Sequence, residues 1–297
     1  MTLRIAILGP GRVGTALARR FREAGADVLG LLGRDAARTA AAVRWSGAGR
    51  VLDWRDLAGA HVVLFAVADP ALPALVATAI ERSAHRRCAL WVHTSGRHGL
   101  DVFAPARGHG LRCGALHPVA PFADPAAGLT ALAGAPALCE GDPRSERLLR
   151  RLAVLLGLVP VFVPGLDRAR YHAACALAAN GATALRGLVD EAFAAAGVWP
   201  DGAPRAFADA LMGAALDGTG RRGAAAALSG PVRRGDAETV AVHLRALAES
   251  GPLLADVYRA LAHAALRLAA AEGLAPAQQD AVRAVLDAPP AGGPWRS

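Results

Sequence analysis

The residues best suited to chemistry are two histidines, His117 in LHPVAPF and His172 in ARYHAACALAAN, with Asn180 closing the second stretch. A histidine can give or take a proton near neutral pH, where arginine cannot. That matters here because the chain has no lysine: all 33 of its basic residues are arginine. Asn180 lies among alanines, where an asparagine is disfavoured in a helix unless it has a hydrogen bond to make. Polar groups of the same interest are Asp69 at the end of AVAD, Ser95 and Gly96 in HTSG, and Arg233 and Arg234 in SGPVRRGD. Arginine suits a carboxylate through a bidentate pair. Plainer roles compete for each. Ser95 can be a strand-end turn, and His117 can cap the turn before Pro118. Asp69 and Asp236 can cap helices, and His172 can bond a backbone carbonyl. Cys88, Cys113, Cys139 and Cys175 show no metal-ligand or redox spacing, so no metal is expected and the cysteines read as small apolar fillers.

A second set of residues points to a nucleotide. ILGPGRVGTAL carries Gly9, Gly11 and Gly14 in the spacing G-x-G-x-x-G, after a strand signal and before a helix signal. Gly9 permits the tight turn, Gly11 lets a pyrophosphate approach the backbone, and Gly14 lets helix pack on strand. The helix N-terminus then offers N–H groups and a positive dipole end to the phosphates. A glycine-rich turn without a ligand is the bland reading, but three glycines at this spacing cost stability unless used. Arg12 and Val13 inside the fingerprint, and Ala66 and Asp69 at a later strand end, complete the expected cofactor contacts. The end of the second strand reads LLGRD, with Arg34 where binders of NAD usually place an acid. An arginine attracts a 2′-phosphate that a carboxylate would repel, so NADP(H) is expected over NAD(H). Asp35 is placed as a helix cap.

The elements that must hold these residues alternate in the first half and change character in the second. LRIAILG, ADVLGLLGR, HVVLFAVAD, CALWVHTSG, RCGALHPVAPF, PALCEG and LVPVFVPG read as strands. Several are continuous apolar runs, as in a parallel sheet buried on both faces. TALARRFREAG and DAARTAAAV read as helices between them, which predicts a doubly wound, mostly parallel α/β sheet. From Asp167 onward the segments are long, alanine-rich and helical, and are broken by GVWPDGAP and SGPVRRGD. The predicted organisation is a Rossmann-like NAD(P)-binding domain over 1–164, an all-α substrate and dimerisation domain over 165–288, and a disordered tail over 289–297. Within ARYHAACALAAN, α-helical geometry sets His172 and Asn180 about 80° apart at i and i+8. Cys175, Ala176 and Ala179 form a small-residue stripe between them.

The 54% hydrophobic and 20% charged composition supplies enough apolar material for two cores. The formal net charge of +8 is carried by scattered arginines without a basic run, so nucleic acid is not an expected partner. Asp69, Pro70 and Pro73 break the longest apolar run, so no membrane span is expected. With a strand at the very N-terminus there is no room for a signal peptide, and a cytoplasmic protein is expected.

Taken together, ILGPGRVGTAL, AVAD, HTSG, LHPVAPFAD, RYHAACALAANG and LSGPVRRGDAETVAVHL resemble Rossmann-like proteins with a helical C-terminal domain of unknown function. That group is similar to the β-hydroxyacid and 6-phosphogluconate dehydrogenases, ketopantoate reductases and pyrroline-5-carboxylate reductases. The resemblance implies NAD(P)H-dependent reduction of a small 2-oxo acid, such as ketopantoate, or of an imine, by a homodimer joined through its helical domains. It implies that Ser95 and Gly96 bind a substrate carboxylate. It also implies that Asn180 orients substrate or nicotinamide, and that Asp69 lies near the nicotinamide ribose. The chain departs from the β-hydroxyacid pattern at Ala176, where a proton-donating lysine is usual. His172 is therefore the expected proton donor or substrate orienter, with His117 as its competitor, and an imine gains weight because it needs less from a donor. Arg233 and Arg234 are expected near the substrate. The alternative is a catalytically silent nucleotide-binding sensor or scaffold, which keeps the fingerprint and needs no donor.

Overall fold

The structure, a computed structural model, describes residues 2–83, 90–197 and 203–289. Cys88, most of the GVWPDGAP breaker and the expected tail from 290 onward lie outside the described residues. The chain folds into two compact units, Met1–Ala179 and Asn180–Ser297.

The first unit begins with β1 (Arg4–Leu8), α1 (Arg12–Glu23), β2 (Asp27–Leu32), α2 (Ala36–Ser46) and β3 (Arg50–Val51). It continues with β4 (Val62–Phe65), α3 (Leu72–Ser83), β5 (Leu90–His93), α4 (Ala104–Gly108) and β6 (Cys113–Pro118). Then come α5 (Pro125–Ala131), β7 (Pro136–Gly141), α6 (Pro143–Leu155), β8 (Val159–Phe162) and α7 (Arg168–Ala176). The strands form one sheet in the order β3-β2-β1-β4-β5-β6-β7-β8. Every neighbouring pair is parallel except β6 and β7. This is the expected doubly wound, mostly parallel sheet.

The apolar runs explain why the sheet is covered on both sides. In β1, Ile5 and Ile7 join one core with Leu17 and Phe21 of α1, while Ala6 and Leu8 join the other with Leu72 and Val76 of α3. β4 repeats the alternation, with Val62 and Leu64 on the first face and Val63 and Phe65 on the second. Because successive side chains point to opposite faces, only an unbroken apolar run can fill both cores. The chain runs outward from β1 to β3 and then returns to β4 beside β1. That reversal is a topological switch point, where open α/β sheets leave a crevice at the carboxyl ends of their strands.

The second unit contains α8 (Ala182–Ala195), α9 (Ala203–Arg222), α10 (Ala224–Ala227), α11 (Pro231–Arg234), α12 (Ala237–Ser250), α13 (Pro252–Ala271) and α14 (Pro276–Asp287). Its core joins Val232, Val240, Leu244, Leu266, Val282 and Leu286. Asp236 caps α12, accepting from the Thr239 backbone N–H at 3.0 Å and from its hydroxyl at 2.7 Å. No helix among the described residues is long and apolar enough to cross a membrane.

The helix expected to carry both His172 and Asn180 departs from regular geometry. A π-helical turn, Leu177–Gly181, separates α7 from α8 and contains Asn180. A wider turn changes the angular phase. The 80° offset to Asn180 counted on an α-helix therefore does not hold, and of the small-residue stripe only Cys175 and Ala176 keep their α-helical phase to His172. Ala176, Ala179 and Asn180 do not share one environment with the ring: Ala179 and Asn180 are exposed, whereas His172 is half-buried.

Candidate active site

The glycine fingerprint bridges the carboxyl ends of β1 and β4. Gly9 has φ +110°, and its N–H donates to the Leu32 carbonyl at 2.9 Å. A methyl group on it would lie 2.3 Å from the Ala66 carbonyl oxygen. One on Gly14 would lie 2.0 Å from the Gly9 oxygen and 3.3 Å from the Ala66 Cβ. Gly14 thus packs against the fingerprint's own first turn and the end of β4, not simply against β1. Gly11 differs, because a methyl group there would meet only open space. It is also the N-cap of α1 without a side-chain cap bond, so no side chain covers the first N–H groups of that helix. Arg12 is exposed and Val13 half-buried on the first turn.

The turn after β2 is arranged as expected. The Asp35 carboxylate accepts from the Arg38 backbone N–H at 2.9 Å and caps α2. Arg34 is exposed and has no hydrogen bond or ion pair among the described residues. An open glycine-lined cradle and an uncapped helix start together fit a dinucleotide.

Three residues beyond Ala66, the chain meets a polar cluster. Asp69 opens a 3-10 turn, Asp69–Ala71, whose N-cap is Ala68, so its side chain is not the cap. Its Oδ2 lies 3.8 Å from Nε2 of His172, and its carbonyl meets Nε2 of His98 at 3.1 Å. Asp167 caps α7 by accepting from the Arg170 N–H at 3.0 Å, and this sets the start of the helix that carries Tyr171 and His172. Nδ1 of His172 is buried and finds no hydrogen-bond partner among the described residues. No backbone carbonyl holds this nitrogen.

Gly96 joins the two histidines. A methyl group on it would lie 2.8 Å from His117 Nε2 and 3.0 Å from His172 Nδ1. Both rings therefore pack against the loop after β5, and this position cannot carry a side chain without moving them. Ser95 is buried, and its Oγ accepts from the backbone N–H groups of Arg97 (3.2 Å) and His98 (3.0 Å). It builds the turn, the plainer of its two roles. His93 accepts from the Ser95 N–H at 3.2 Å and meets the Gly99 carbonyl at 3.2 Å. Burial pushes its pKa down to about 3.

His117, at the end of β6, does not cap its turn. Its Nδ1 lies 2.7 Å from the Tyr171 hydroxyl, and the two rings meet edge to face at 5.6 Å. Burial, followed by the neighbouring charges of His172 and Arg168, pushes its pKa down to about 4. Arg168 pairs with Glu140 of β7, and its Nη1 is buried without a partner. Tyr171, Arg168 and Glu140 do not stand out in the sequence. Tyr171 adjoins His172, and that adjacency is the one local signal it gives.

The remaining sequence candidates lie in the second unit. The Asn180 side chain is exposed and has no hydrogen-bond partner among the described residues. Arg233 and Arg234 line an open cleft of about 630 Å³ with Ser229, Gly230 and Gln278. Neither arginine forms an ion pair among the described residues, although Arg233 approaches the Glu272 carbonyl at 3.5 Å. No group of three or more His, Cys, Asp or Glu suited to a metal occurs among the described residues.

Comparison with known proteins recognises two stretches of the chain. Residues 1–118 match the model of a Rossmann-like domain, and residues 135–265 that of a domain of unknown function, DUF2520. The border between the two falls where β6 gives way to the antiparallel β7. No curated protein sequence matches the chain. Among solved structures it is similar to a Bacteroides fragilis protein assigned as an NADP oxidoreductase, at 20% identity and TM-score 0.73, over 90% of this chain and 98% of that one. It is similar to protein TM1727 of Thermotoga maritima at 21% identity and TM-score 0.66, over 90% and 99%. A reductive aminase of Aspergillus terreus, solved with NADPH and ethyl-5-oxohexanoate, matches at 18% identity and TM-score 0.65, over 96% and 99%. At these identities the likeness is one of fold. The chain joins a Rossmann-like domain to a DUF2520 domain, in a fold shared with these solved structures.

Proposed function

We propose that the protein is an NADPH-dependent reductase of a small 2-oxo acid or imine, with the imine the better fit, and that it works in the cytoplasm as a homodimer. The observation that carries this reading is the continuity of the cluster. The fingerprint glycines abut Ala66, Asp69 follows at 3.8 Å from His172, and His172 and His117 meet at Gly96. All of it lies at the carboxyl ends of β1, β4, β5 and β6, beside the topological switch point.

Gly9, Gly11, Arg12, Val13 and Gly14 would hold the pyrophosphate, and Arg34 the 2′-phosphate. Ala66 and Asp69 would line the nicotinamide end. When bound, the cofactor supplies the hydride. His172 supplies the proton, since no lysine exists to do so. His117 is neutral at pH 7 with its pKa near 4, so it orients the substrate through a hydrogen bond. The Gly96 loop shapes the space beside both rings. Within the second unit, the Arg233–Arg234 cleft is proposed as a place for a carboxylate and Asn180 as an exposed hydrogen-bonding group. The imine is favoured because its C=N, once His172 has protonated it, carries a positive charge beside the Asp69 carboxylate and takes the hydride to give a neutral amine. The name of the Aspergillus relative, a reductive aminase, supports that choice.

The test is NADPH oxidation against a panel of 2-oxo acids and cyclic imines, with His172→Ala alongside. Turnover that falls about 10²- to 10⁴-fold in the variant, as for loss of a positioned general acid, supports the reading. NADPH binding without oxidation of any panel member would replace it with the silent sensor.

A further inference from the structure

We infer that Tyr171 is a positioning residue whose hydroxyl fixes His117 as the Nε2–H tautomer, so that His117 presents a neutral hydrogen-bond donor beside Gly96. The use of that donor rests on the reductase reading above, but the tautomer is a property of the protein alone.

Which atom holds each proton follows from the neighbours. The Tyr171 hydroxyl meets His117 Nδ1 at 2.7 Å. A phenol O–H donates more readily than its oxygen accepts, and an unprotonated imidazole nitrogen accepts well. The favoured bond therefore runs from the Tyr171 O–H to His117 Nδ1. Burial raises the Tyr171 pKa, so the phenol keeps its proton to donate. The groups facing His117 are His172, Arg168 and Asp69. Burial outweighs the favourable charge of Asp69, and the ring carries a single proton at pH 7. With Nδ1 accepting, that proton is on Nε2.

The orientation follows from the same neighbours. The edge-to-face packing, at an interplanar angle of 87°, sets the plane of the His117 ring against Tyr171. Nε2 then points to the loop after β5, within 2.8 Å of the place a Gly96 methyl would fill, and has no hydrogen-bond partner among the described residues. A donor without a partner among the described residues suits an oxygen acceptor on the substrate, the carbonyl of a 2-oxo acid or a carboxylate carried by an imine. Free histidine populates both tautomers. Fixing one in advance removes a reorganisation step from substrate binding.

The experiment is long-range ¹H–¹⁵N correlation spectroscopy on the full chain labelled at histidine, at pH 7, with the His117 signal assigned by its loss in His117→Gln. Wild type is expected to show the Nε2–H pattern. Tyr171→Phe keeps the aromatic packing and is expected to show a mixture of tautomers. A wild-type Nδ1–H pattern overturns the inference even if the variant fails to fold, and an unchanged single tautomer in Tyr171→Phe overturns it as well. With a substrate in hand, Tyr171→Phe should lower kcat by about three- to tenfold, the usual effect of one hydrogen bond, with NADPH Kd unchanged. Failure to find any turnover would sink the reductase reading and leave the tautomer result standing.

Discussion

Single positions decide whether the cluster can act. Gly96 is held to glycine by its neighbours and not by an unusual φ, since a methyl group would press within 3.0 Å of both His117 and His172. Gly96→Ala should displace one ring, costing about 1–3 kcal/mol of stability and about a hundredfold in turnover. Full activity in that variant would show that the rings are not catalytic. Acid stability gives a second prediction. His117 and His93 titrate near 4 and 3, below the 6.5 of an unperturbed histidine. The unfolded chain therefore binds protons that the folded chain refuses once the pH drops below about 6.5. Their contribution is fully present above that pH and is lost progressively as pH falls toward 4. Thermal melts between pH 7 and 4 should show Tm falling, with a shallower slope in His117→Gln. Identical slopes would place His117 in a more solvated setting than the structure does. His117 and His172 are legible in the sequence as types suited to proton chemistry. Tyr171 is not, because its partner is 54 positions away and no local pattern links them.

Elements turn such residues into a site, and here the strands are more legible than the turns. Continuous apolar runs such as VVLF can fill both faces of a sheet, so β4 is predictable, whereas the two-residue β3 and the reversal at β7 leave no comparable pattern. The π-turn around Asn180 is also hidden, since an alanine-rich run suits α and π geometry alike. The fingerprint separates two kinds of glycine. Gly14→Ala drives a methyl into the Gly9 carbonyl and should lower Tm together with NADPH affinity, at about 1–3 kcal/mol of overpacking. Gly11→Ala meets open space at φ −86° and should fold normally, yet bind NADPH weakly because the methyl occupies the approach to the helix N-terminus. Equal melting losses in the two variants would contradict this assignment. The turn from β2 to α2 carries the cofactor choice. Asp35 is committed to its cap, and Arg34 has no partner among the described residues. Arg34→Ala should weaken NADPH binding about ten- to hundredfold, the worth of one charge-assisted hydrogen bond, and leave NADH nearly unchanged. Equal loss for both cofactors, by calorimetry, would remove the specificity argument.

At the scale of the whole molecule, the two units differ in how completely they bury themselves. The sheet unit encloses Trp91, Phe65 and Phe103 at about 1% exposure or less. The helical unit has a real core around Val240 and Val282, and Arg186, held by Asp190 of its own helix, ties α8 to α9 through Asp209 and the Arg205 carbonyl. Yet Phe207, Leu211 and Leu216 of α9 remain 52%, 62% and 71% exposed. Scattered exposed apolar residues are ordinary, but Phe207 and Leu211 on one side of α9 and Leu216 about 140° round from Leu211 leave this helix apolar on opposite faces, which calls for cover. The sequence anticipates this, because its alanine- and leucine-rich helices carry more apolar surface than one small bundle can bury. The occupant proposed is the helical unit of a second copy, since a two-fold pairing that interleaves helices covers such a helix on opposite faces at once. Light scattering at micromolar concentration should give twice the chain mass. Leu211→Arg together with Leu216→Arg should shift it to the monomer while the melting of the sheet unit is kept, because those side chains contribute nothing to the sheet cores. A wild-type monomer, or a double variant that still dimerises, would move the interface away from α9.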